Sequence, residues 1–137
     1  MFPINFAAVA VAAVSAFVLG FLFHGPLFGK LWMRLADIHP TGNEKFSDML
    51  PQFFWNFVAN FVTAFVLAGI LWMSSLSMGV ITWQRGAFVA VWLWFGFMVT
   101  SSSMEVIWMG RKMKLWLFES AASLVIMAVM GAIIAAW

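Results

Sequence analysis

The sequence predicts an all-α integral membrane protein, a bundle of four transmembrane helices arranged as two hairpins. Three observations support this fold class. Of the 137 residues, 65% are hydrophobic and only 9% are charged, whereas a soluble domain carries about 25% charged residues. The chain contains four apolar runs of roughly 20 residues, which is long enough for a helix to cross a bilayer. Apolar and polar residues do not alternate with a period of two, so the runs do not resemble strands.

The four runs account for nearly the whole chain, so we expect a single transmembrane domain over residues 1–137 and no separate soluble domain. No basic residue precedes the first run, whereas a secretory signal peptide begins with one. We therefore expect the first helix to be retained. Several tryptophans fall near the ends of the runs, where an indole suits the headgroup region of the bilayer. The predicted spans are residues 4–24, 52–74, 86–109 and 115–137.

The first connection contains a further short helix, predicted over residues 26–36. Pro26 suits the first turn of a helix. Helical spacing separates an apolar face from a basic face, which is typical of a helix that lies in the membrane interface. The apolar face carries Leu27, Leu31 and Leu35, and the basic face carries Lys30 and Arg34. Further along, Thr41 and Glu44 have the spacing of a capping box for the next helix.

The basic residues predict the orientation of the bundle. In a chain with four spans, the first and third connections lie on the same side of the membrane. These two connections hold six basic residues, whereas the second holds only Arg85. The positive-inside rule therefore places the first and third connections in the cytoplasm and both termini outside. The six residues are Lys30, Arg34, Lys45, Arg111, Lys112 and Lys114.

Cysteine labelling tests this orientation, because the chain has no cysteine of its own. We expect a membrane-impermeant thiol reagent, added outside intact cells, to label a cysteine at Ser77 and to spare one at Asn43. Both variants should react once the membrane is permeabilised, which controls for the reactivity of each position. Labelling of Asn43→Cys but not of Ser77→Cys in intact cells would contradict the predicted orientation.

Small residues recur at every fourth position of the first and last spans. Such a stripe lets the backbone of another helix approach closely. We therefore expect the first and last spans to pack against each other through these residues. The stripe of the first span is Ala8, Ala12, Ala16 and Gly20, and that of the last is Ala128, Ala132 and Ala136.

Polar residues inside the spans define a candidate site. An asparagine or an ionised glutamate is costly in hydrocarbon, so these side chains are expected to face the bundle interior, an oligomer interface or a wet cavity. Their distances from the connections put most of them at a similar depth, near the cytoplasmic end of the bundle. The candidate polar vestibule consists of His24, Asn56, Asn60, Thr63, Ser101, Glu105, Glu119 and Ser123.

The two glutamates of this set allow two interpretations. In the functional one, Glu105 and Glu119 lie near Asn56 in a vestibule that binds a cation or a proton. In the structural one, each carboxylate pairs with a nearby basic side chain, and the candidates are Lys112, Lys30 and Arg34. The sequence alone leaves both interpretations open.

Other kinds of chemistry have little support in the sequence. The absence of cysteine excludes disulfides and thiolate metal sites, and a net charge of +2 gives no reason to expect nucleic-acid binding. No nucleophile–base pair, phosphate-binding loop or metal-binding helix motif is present, so we expect neither an enzyme nor a cofactor or metal. Two weaker alternatives are ligation of a haem or chlorin by His24 and of copper by Met109 and Met113.

Two stretches resemble a known family. The first is Asn5 at the start of the first span, followed by LGFLFHGPLFGKLWM at residues 19–33. The second is GRKMKL at residues 110–115, together with the closing MGAIIAAW at residues 130–137. They resemble the domain-of-unknown-function family 1761, which comprises small bacterial four-helix membrane proteins. The resemblance extends over nearly the whole chain and implies the architecture only, because the family has no established activity.

The chain departs from the family pattern at two positions. An aromatic residue commonly precedes the Gly-Pro pair in the family, and His24 stands there in this chain. An acidic residue often precedes the Gly-Arg pair, and Met109 stands there. The resemblance therefore assigns no family-wide role to His24.

These observations favour a non-enzymatic protein of the bacterial inner membrane. Its polar vestibule on the cytoplasmic side is expected to bind a small solute or ion or to let it pass. The alternative is an accessory or scaffold subunit of a larger membrane protein complex, whose aromatic surfaces contact partner helices. The expected partners are the lipid bilayer, together with further copies of the chain or unlike membrane subunits.

Overall fold

The apolar runs form helices, and no strand is present in residues 3–137, which the computed structural model describes. Met1 and Phe2 of the predicted domain lie outside this part of the chain. A 3-10 turn, Phe46–Met49, precedes the third helix, and a π-helical segment, Trp94–Val99, joins the fourth helix to the fifth. The α-helices are α1 (Phe6–His24), α2 (Gly29–Leu35), α3 (Leu50–Met78), α4 (Trp83–Leu93), α5 (Thr100–Met109) and α6 (Met113–Ala136).

Four helical segments are long and apolar enough to cross a membrane, and they overlap the four predicted spans. The predicted fold class is therefore confirmed, and the chain is an all-helical, multi-pass membrane protein. Helix α2 lies within the segment predicted to form a short helix, while its location in the membrane interface stays a prediction. The four segments are Phe6–His24, Phe46–Met78, Trp83–Met109 and Met113–Ala136.

The predicted capping box in the first connection closes a turn instead of starting a helix. Glu44 accepts hydrogen bonds from the backbone amides of Thr41 (2.7 Å) and Gly42 (3.0 Å). The next helical turn begins only at Phe46, so no helix follows directly from Thr41. The hydrogen bond from the Thr41 amide is the main reason that the pKa of the Glu44 carboxyl lies below its ordinary value.

The helices lie in the order α3, α1, α6 and α4. Helix α6 packs against both α1 and α4, and α3 packs mainly against α1. Helices α3 and α4 touch only marginally, so the bundle is open on one side. The core of the bundle is built mainly from small and aliphatic side chains, because these allow the helix axes to approach closely.

The closest approach of two backbones is between α4 and α6. A Cβ atom added at Gly86 would come well inside 3.0 Å of the Cβ atom of Ala135 and the carbonyl oxygen of Gly131. A Cβ atom added at Gly131 would likewise overlap the carbonyl oxygen of Gly86 and the side chain of Ala90. The pairs Gly86 with Ala90 and Gly131 with Ala135 thus form a small-residue contact that the sequence analysis did not identify.

The predicted small-residue stripes are placed differently in the two helices. In α1, Ala8, Ala12 and Ala16 are fully buried, and a Cβ atom added at Gly20 would meet Ile126 of α6 at 4.0 Å. In α6, the three predicted alanines are not part of the tightest contact, since the fully buried positions are others, among them Met130 and Gly131. Of these alanines, Ala128 and Ala132 are half-buried, and Ala136 is exposed.

The open side of the bundle forms a groove between α3 and the π-helical segment, here called the lateral groove. It encloses about 490 Å³ and has Met127 of α6 at its base. One wall comes from α3 and the other from the end of α4 and the π-helical segment. The wall residues include Val62, Thr63, Val66, Phe97 and Met98.

Candidate functional site

Several helix ends converge at the end of the bundle that carries the first and third connections, here called the basic edge. Helix α1 ends at His24, α5 ends at Met109 and α6 begins at Met113. A hydrogen bond from the amide of Leu27 to the carbonyl of Leu22 (3.0 Å) closes the turn between α1 and α2. Five polar side chains meet here, and we call them the edge cluster: His24, Trp32, Glu105, Arg111 and Glu119.

Both ring nitrogens of His24 have partners. Nδ1 lies 2.9 Å from the carbonyl oxygen of Gly20, and Nε2 lies 3.0 Å from Oε2 of Glu119. A carbonyl oxygen only accepts, so Nδ1 carries a proton and donates it to Gly20. Nε2 then faces a carboxylate oxygen with one proton between the two atoms. Ligation of a haem or a metal by His24 would require one of these hydrogen bonds to break.

Glu119 lies at the centre of the edge cluster. Its Oε1 accepts a hydrogen bond from the indole Nε1 of Trp32 (3.0 Å) and lies 3.9 Å from Nη2 of Arg111. The rings of His24 and Trp32 also pack edge to face, with centroids 5.0 Å apart. Because the side chain of Glu119 is only 31% exposed, these partners replace much of its hydration. This carboxylate therefore joins α6 to α1, to α2 and to the third connection.

Arg111 connects the two glutamates. Its Nη1 pairs with Oε2 of Glu105, and its Nη2 faces Glu119. The turn after α5 produces this geometry, because Gly110 adopts a left-handed conformation (φ 69°) and the amides of Gly110 and Arg111 both donate to the carbonyl of Glu105. The sequence analysis expected the glutamates to pair with Lys112, Lys30 or Arg34. In the structure, both glutamates pair with Arg111 instead.

The formal charges of the edge cluster balance only when one proton is bound. Glu105 and Glu119 contribute two negative charges and Arg111 one positive charge. The sum is −1 when His24 is neutral and zero when the pair of His24 and Glu119 holds a proton. An uncompensated charge is costly in a partly buried site, so a proton bound between His24 and Glu119 would stabilise this arrangement.

A second ion pair ties the first connection to the third beside the edge cluster. Nζ of Lys112 donates a hydrogen bond to the carboxylate of Asp37. This hydrogen bond, assisted by the charge of the ammonium group, holds the pKa of Asp37 below its ordinary value. Asp37 has a positive φ of 56°, a conformation that asparagine and aspartate tolerate better than most residues. Both side chains are exposed, so salt screens their attraction.

We expect Asp37→Asn to loosen this tether at neutral pH. A carboxyl whose pKa is lowered by folding stabilises the folded protein above the pKa of the unfolded chain, and this contribution is lost as the pH falls through the folded pKa. In detergent, the wild type should melt slightly above Asp37→Asn at pH 7. The two melting temperatures should converge as the pH falls below the ordinary aspartate value of 3.8. A difference that persists unchanged in acid or in high salt would contradict an ionic tether.

The polar residues of α3 are not brought to the edge cluster. Helix α3 does not contact α5 within residues 3–137. The amide Nδ2 of Asn60 donates to Oδ1 of Asn56 at 3.3 Å, and the hydroxyl of Thr63 donates to the carbonyl of Ala59 at 2.9 Å. These three polar side chains therefore have partners on their own helix beside the lateral groove. In the described residues, no hydrogen bond joins Asn56 to either glutamate.

The two predicted serines, Ser101 and Ser123, lie outside the edge cluster, and Ser102 was not predicted. Ser123 accepts a hydrogen bond from the indole of Trp94 (2.8 Å), and Ser102 accepts one from the indole of Trp116 (2.9 Å). These bonds hold α6 against the third span. Ser101 instead donates to a carbonyl of its own helical segment and is exposed.

Trp32 and Arg111 are absent from the vestibule that the sequence predicts, yet both are central to the edge cluster. The sequence carries a signal for each. A half-buried indole N–H requires an acceptor, and no acidic residue precedes Asp37 in the sequence. A carboxylate acceptor for Trp32 therefore has to come from a later part of the chain. Arg111 directly follows a glycine that ends a span, and such a turn directs the next residue back toward the helix.

Comparison with known proteins places the chain in a family. No curated protein and no solved structure matches the chain. A family model described as "Protein of unknown function (DUF1761)" matches residues 7–135, which include all five residues of the edge cluster. The resemblance identified in the sequence is confirmed, and the chain belongs to this family of unknown function.

Proposed function

We propose that the protein is a non-enzymatic membrane protein that binds a proton at the edge cluster. The observation that carries the proposal is the 3.0 Å contact between Nε2 of His24 and Oε2 of Glu119, while Gly20 holds Nδ1. Two unprotonated acceptors at this distance would repel each other, so the contact requires one proton. Release of the proton would leave the pair facing each other as acceptors, and we expect the contact to open.

The composition of the edge cluster favours a proton over a metal ion as its ligand. Arg111 lies beside both carboxylates and would repel an added cation. The oxygens of Glu119 are already occupied by Trp32, His24 and Arg111, so few lone pairs are free for a metal. A proton needs neither extra space nor additional ligands.

The rest of the bundle supports binding at one side more than passage across the membrane. Among the residues that the structure describes, no fully buried side chain is polar. A path for a proton or an ion across a helical bundle requires polar side chains or water. We therefore propose that the edge cluster responds to protons on the side of the first and third connections, which the charge distribution assigns to the cytoplasm.

Nitrogen-15 NMR of labelled histidine tests this proposal, because the chain has only two histidines. We expect both ring nitrogens of His24 to carry protons in mild acid. As the pH rises, Nε2 should lose its proton and Nδ1 should keep its own. The contact with Glu119 should open at the same pH, which a distance measurement between the two side chains detects.

Two variants serve as controls for this experiment. His39→Gln removes the exposed second histidine and assigns the signals of His24. In Glu119→Gln, the side-chain amide can donate to Nε2 of neutral His24, so the contact should persist when His24 has lost its proton. The proposal fails if the wild-type contact is unchanged while His24 loses its proton, or if Nε2 and not Nδ1 is the nitrogen that stays protonated.

A second candidate function, that of an accessory or scaffold subunit, has one specific observation in its favour. Asn56 is exposed and Asn60 half-buried on the open side of the bundle, with only each other as hydrogen-bond partners in the described residues. The single hydrogen bond between Asn56 and Asn60 leaves other side-chain amide donors and acceptors of the pair unused. A helix from another subunit can form hydrogen bonds with these groups. This candidate therefore places a partner helix along α3 at the lateral groove.

Purification in mild detergent separates the two candidates. If the protein is an accessory subunit, unlike membrane proteins should co-purify with the wild type and be lost from the double variant Asn56→Leu, Asn60→Leu. Ser101→Ala is the matched control, because Ser101 is already bonded to its own helical segment. Recovery of the chain alone, or only with copies of itself, would contradict the accessory role.

A further inference from the structure

A second groove lies at the basic edge, between α2 and α6, and we call it the α2–α6 groove. It encloses about 240 Å³, and its lining is almost entirely apolar. It is separate from the lateral groove, which faces the other side of α6 and shares no lining residue with it. The wall residues include Phe23, Phe28, Leu31, Phe118, Ala121 and Val125.

The aromatic walls give this groove a defined shape. The rings of Phe23 and Phe28 stack with centroids 5.9 Å apart, and Phe28 meets Phe118 edge to face at 6.2 Å. Phe118 also packs against the ring of His24 at 5.8 Å, so it separates the groove from the edge cluster. From Phe118 to Val125, the groove follows α6 for about 10 Å into the span at 1.5 Å per residue.

Three cationic side chains lie on α2 and α6 within one helical turn of residues that line the groove. Lys114 precedes Phe118 by one turn of α6, so the two side chains share a helix face. Lys30 and Arg34 flank Leu31 on α2. All three cations are exposed.

These cations differ from their neighbours in lacking acidic partners. Within residues 3–137, Lys30, Arg34 and Lys114 form no ion pair. The two remaining cations of the third connection, Arg111 and Lys112, are paired with carboxylates. Unpaired positive charge is therefore concentrated where the apolar groove meets the membrane surface.

We propose that the α2–α6 groove binds a phospholipid with an anionic headgroup. One acyl chain lies along Phe118 and Val125, and the phosphate lies between Lys114 and Arg34. An apolar groove and an unpaired basic rim match the two parts of such a lipid. A zwitterionic lipid would fill the groove equally well, but it would gain less from the rim because its own ammonium group cancels the phosphate charge.

Native mass spectrometry of the purified protein, titrated with phosphatidylglycerol or phosphatidylcholine, tests the proposal. We expect phosphatidylglycerol to bind more tightly, with the difference shrinking as ionic strength rises. Lys114→Gln or Arg34→Gln should weaken phosphatidylglycerol binding about fivefold each, since one cation near a membrane surface contributes about 1 kcal/mol. Each change should weaken phosphatidylcholine binding by a smaller factor.

The matched control for charge is Lys45→Gln, which removes an exposed cation ahead of α3, a helix that does not contact α2. Equal weakening by Lys45→Gln and Lys114→Gln would show diffuse attraction to the whole surface and overturn the site. Equal binding of the two lipids to the wild type would overturn it as well.

The groove itself is tested by adding bulk. Ala121→Phe should reduce the binding of both lipids because the added ring fills the groove, whereas Ala7→Phe on the exposed face of α1 should leave it unchanged. Soluble glycerol phosphate should not compete with phosphatidylglycerol. Effective competition by it would show a site for phosphate alone, and unchanged lipid binding in Ala121→Phe would show that no acyl chain occupies the groove. Either result overturns the proposal.

Discussion

Replacing Gly86 by alanine is expected to lower the free energy of unfolding by about 1–3 kcal/mol, the usual effect of adding bulk to a filled contact. The added methyl group would overlap the Cβ atom of Ala135 and the carbonyl oxygen of Gly131. Both obstacles are backbone or Cβ atoms, which no rotation of a side chain can move away. Helices α4 and α6 would therefore have to separate. Gly131→Ala should have a similar effect, since its methyl group would meet the Gly86 carbonyl.

Gly69→Ala is the matched control for this prediction. Gly69 also lies inside a spanning helix, but a Cβ atom added there meets nothing within 4 Å. Alanine favours the helix more than glycine does, so this variant should be as stable as the wild type or slightly more stable. The measurement is the unfolding free energy in detergent. If all three variants were equally stable, α4 and α6 would not be in contact at these residues.

The location of this contact shows what the sequence can predict about the fold. Helix number and extent follow from the apolar runs, because the bilayer fixes the length of a span. Helix pairing follows only in part, because small residues recur in several spans: the sequence analysis expected the first and last spans to pack together, but it did not expect the contact of α4 with α6. The stripe of Ala8, Ala12 and Ala16 is regular and visible. The contact of Gly86 with Gly131 needs only one short motif on each helix, and the spatial order of the helices decides which motifs meet.

The candidate site was predictable to a similar degree. His24, Glu105 and Glu119 stand out in the sequence because ionisable groups in a span need partners. The partner of each depends on the turns at the basic edge. The left-handed Gly110 directs Arg111 toward Glu105, and Lys112 points to Asp37 instead. The position of α3 is equally a matter of packing, so depth alone did not predict that α3 makes no contact with α5, which carries Glu105.

Replacing Glu119 by leucine is expected to lower the free energy of unfolding by about 1–3 kcal/mol, the cost of leaving partly buried polar groups without partners. Leucine fits the apolar face of α6, but it removes the acceptor for the indole of Trp32 and the partner of His24 Nε2. Arg111 would keep only Glu105. Glu119→Gln retains an acceptor and supplies a donor, so it should cost less than Glu119→Leu while removing the site for the proton.

A double-mutant cycle with Trp32→Phe separates the hydrogen bond from general effects of the substitution. Trp32→Phe removes the indole N–H and keeps an aromatic ring beside His24. In the wild type this change leaves Glu119 short of a donor, whereas in Glu119→Leu it has no bond to break. Its cost should therefore be smaller in the Glu119→Leu background. Additive costs, measured as unfolding free energies in detergent, would mean that Trp32 and Glu119 are not coupled, and the edge cluster would then not act as one unit in the proton binding that we propose.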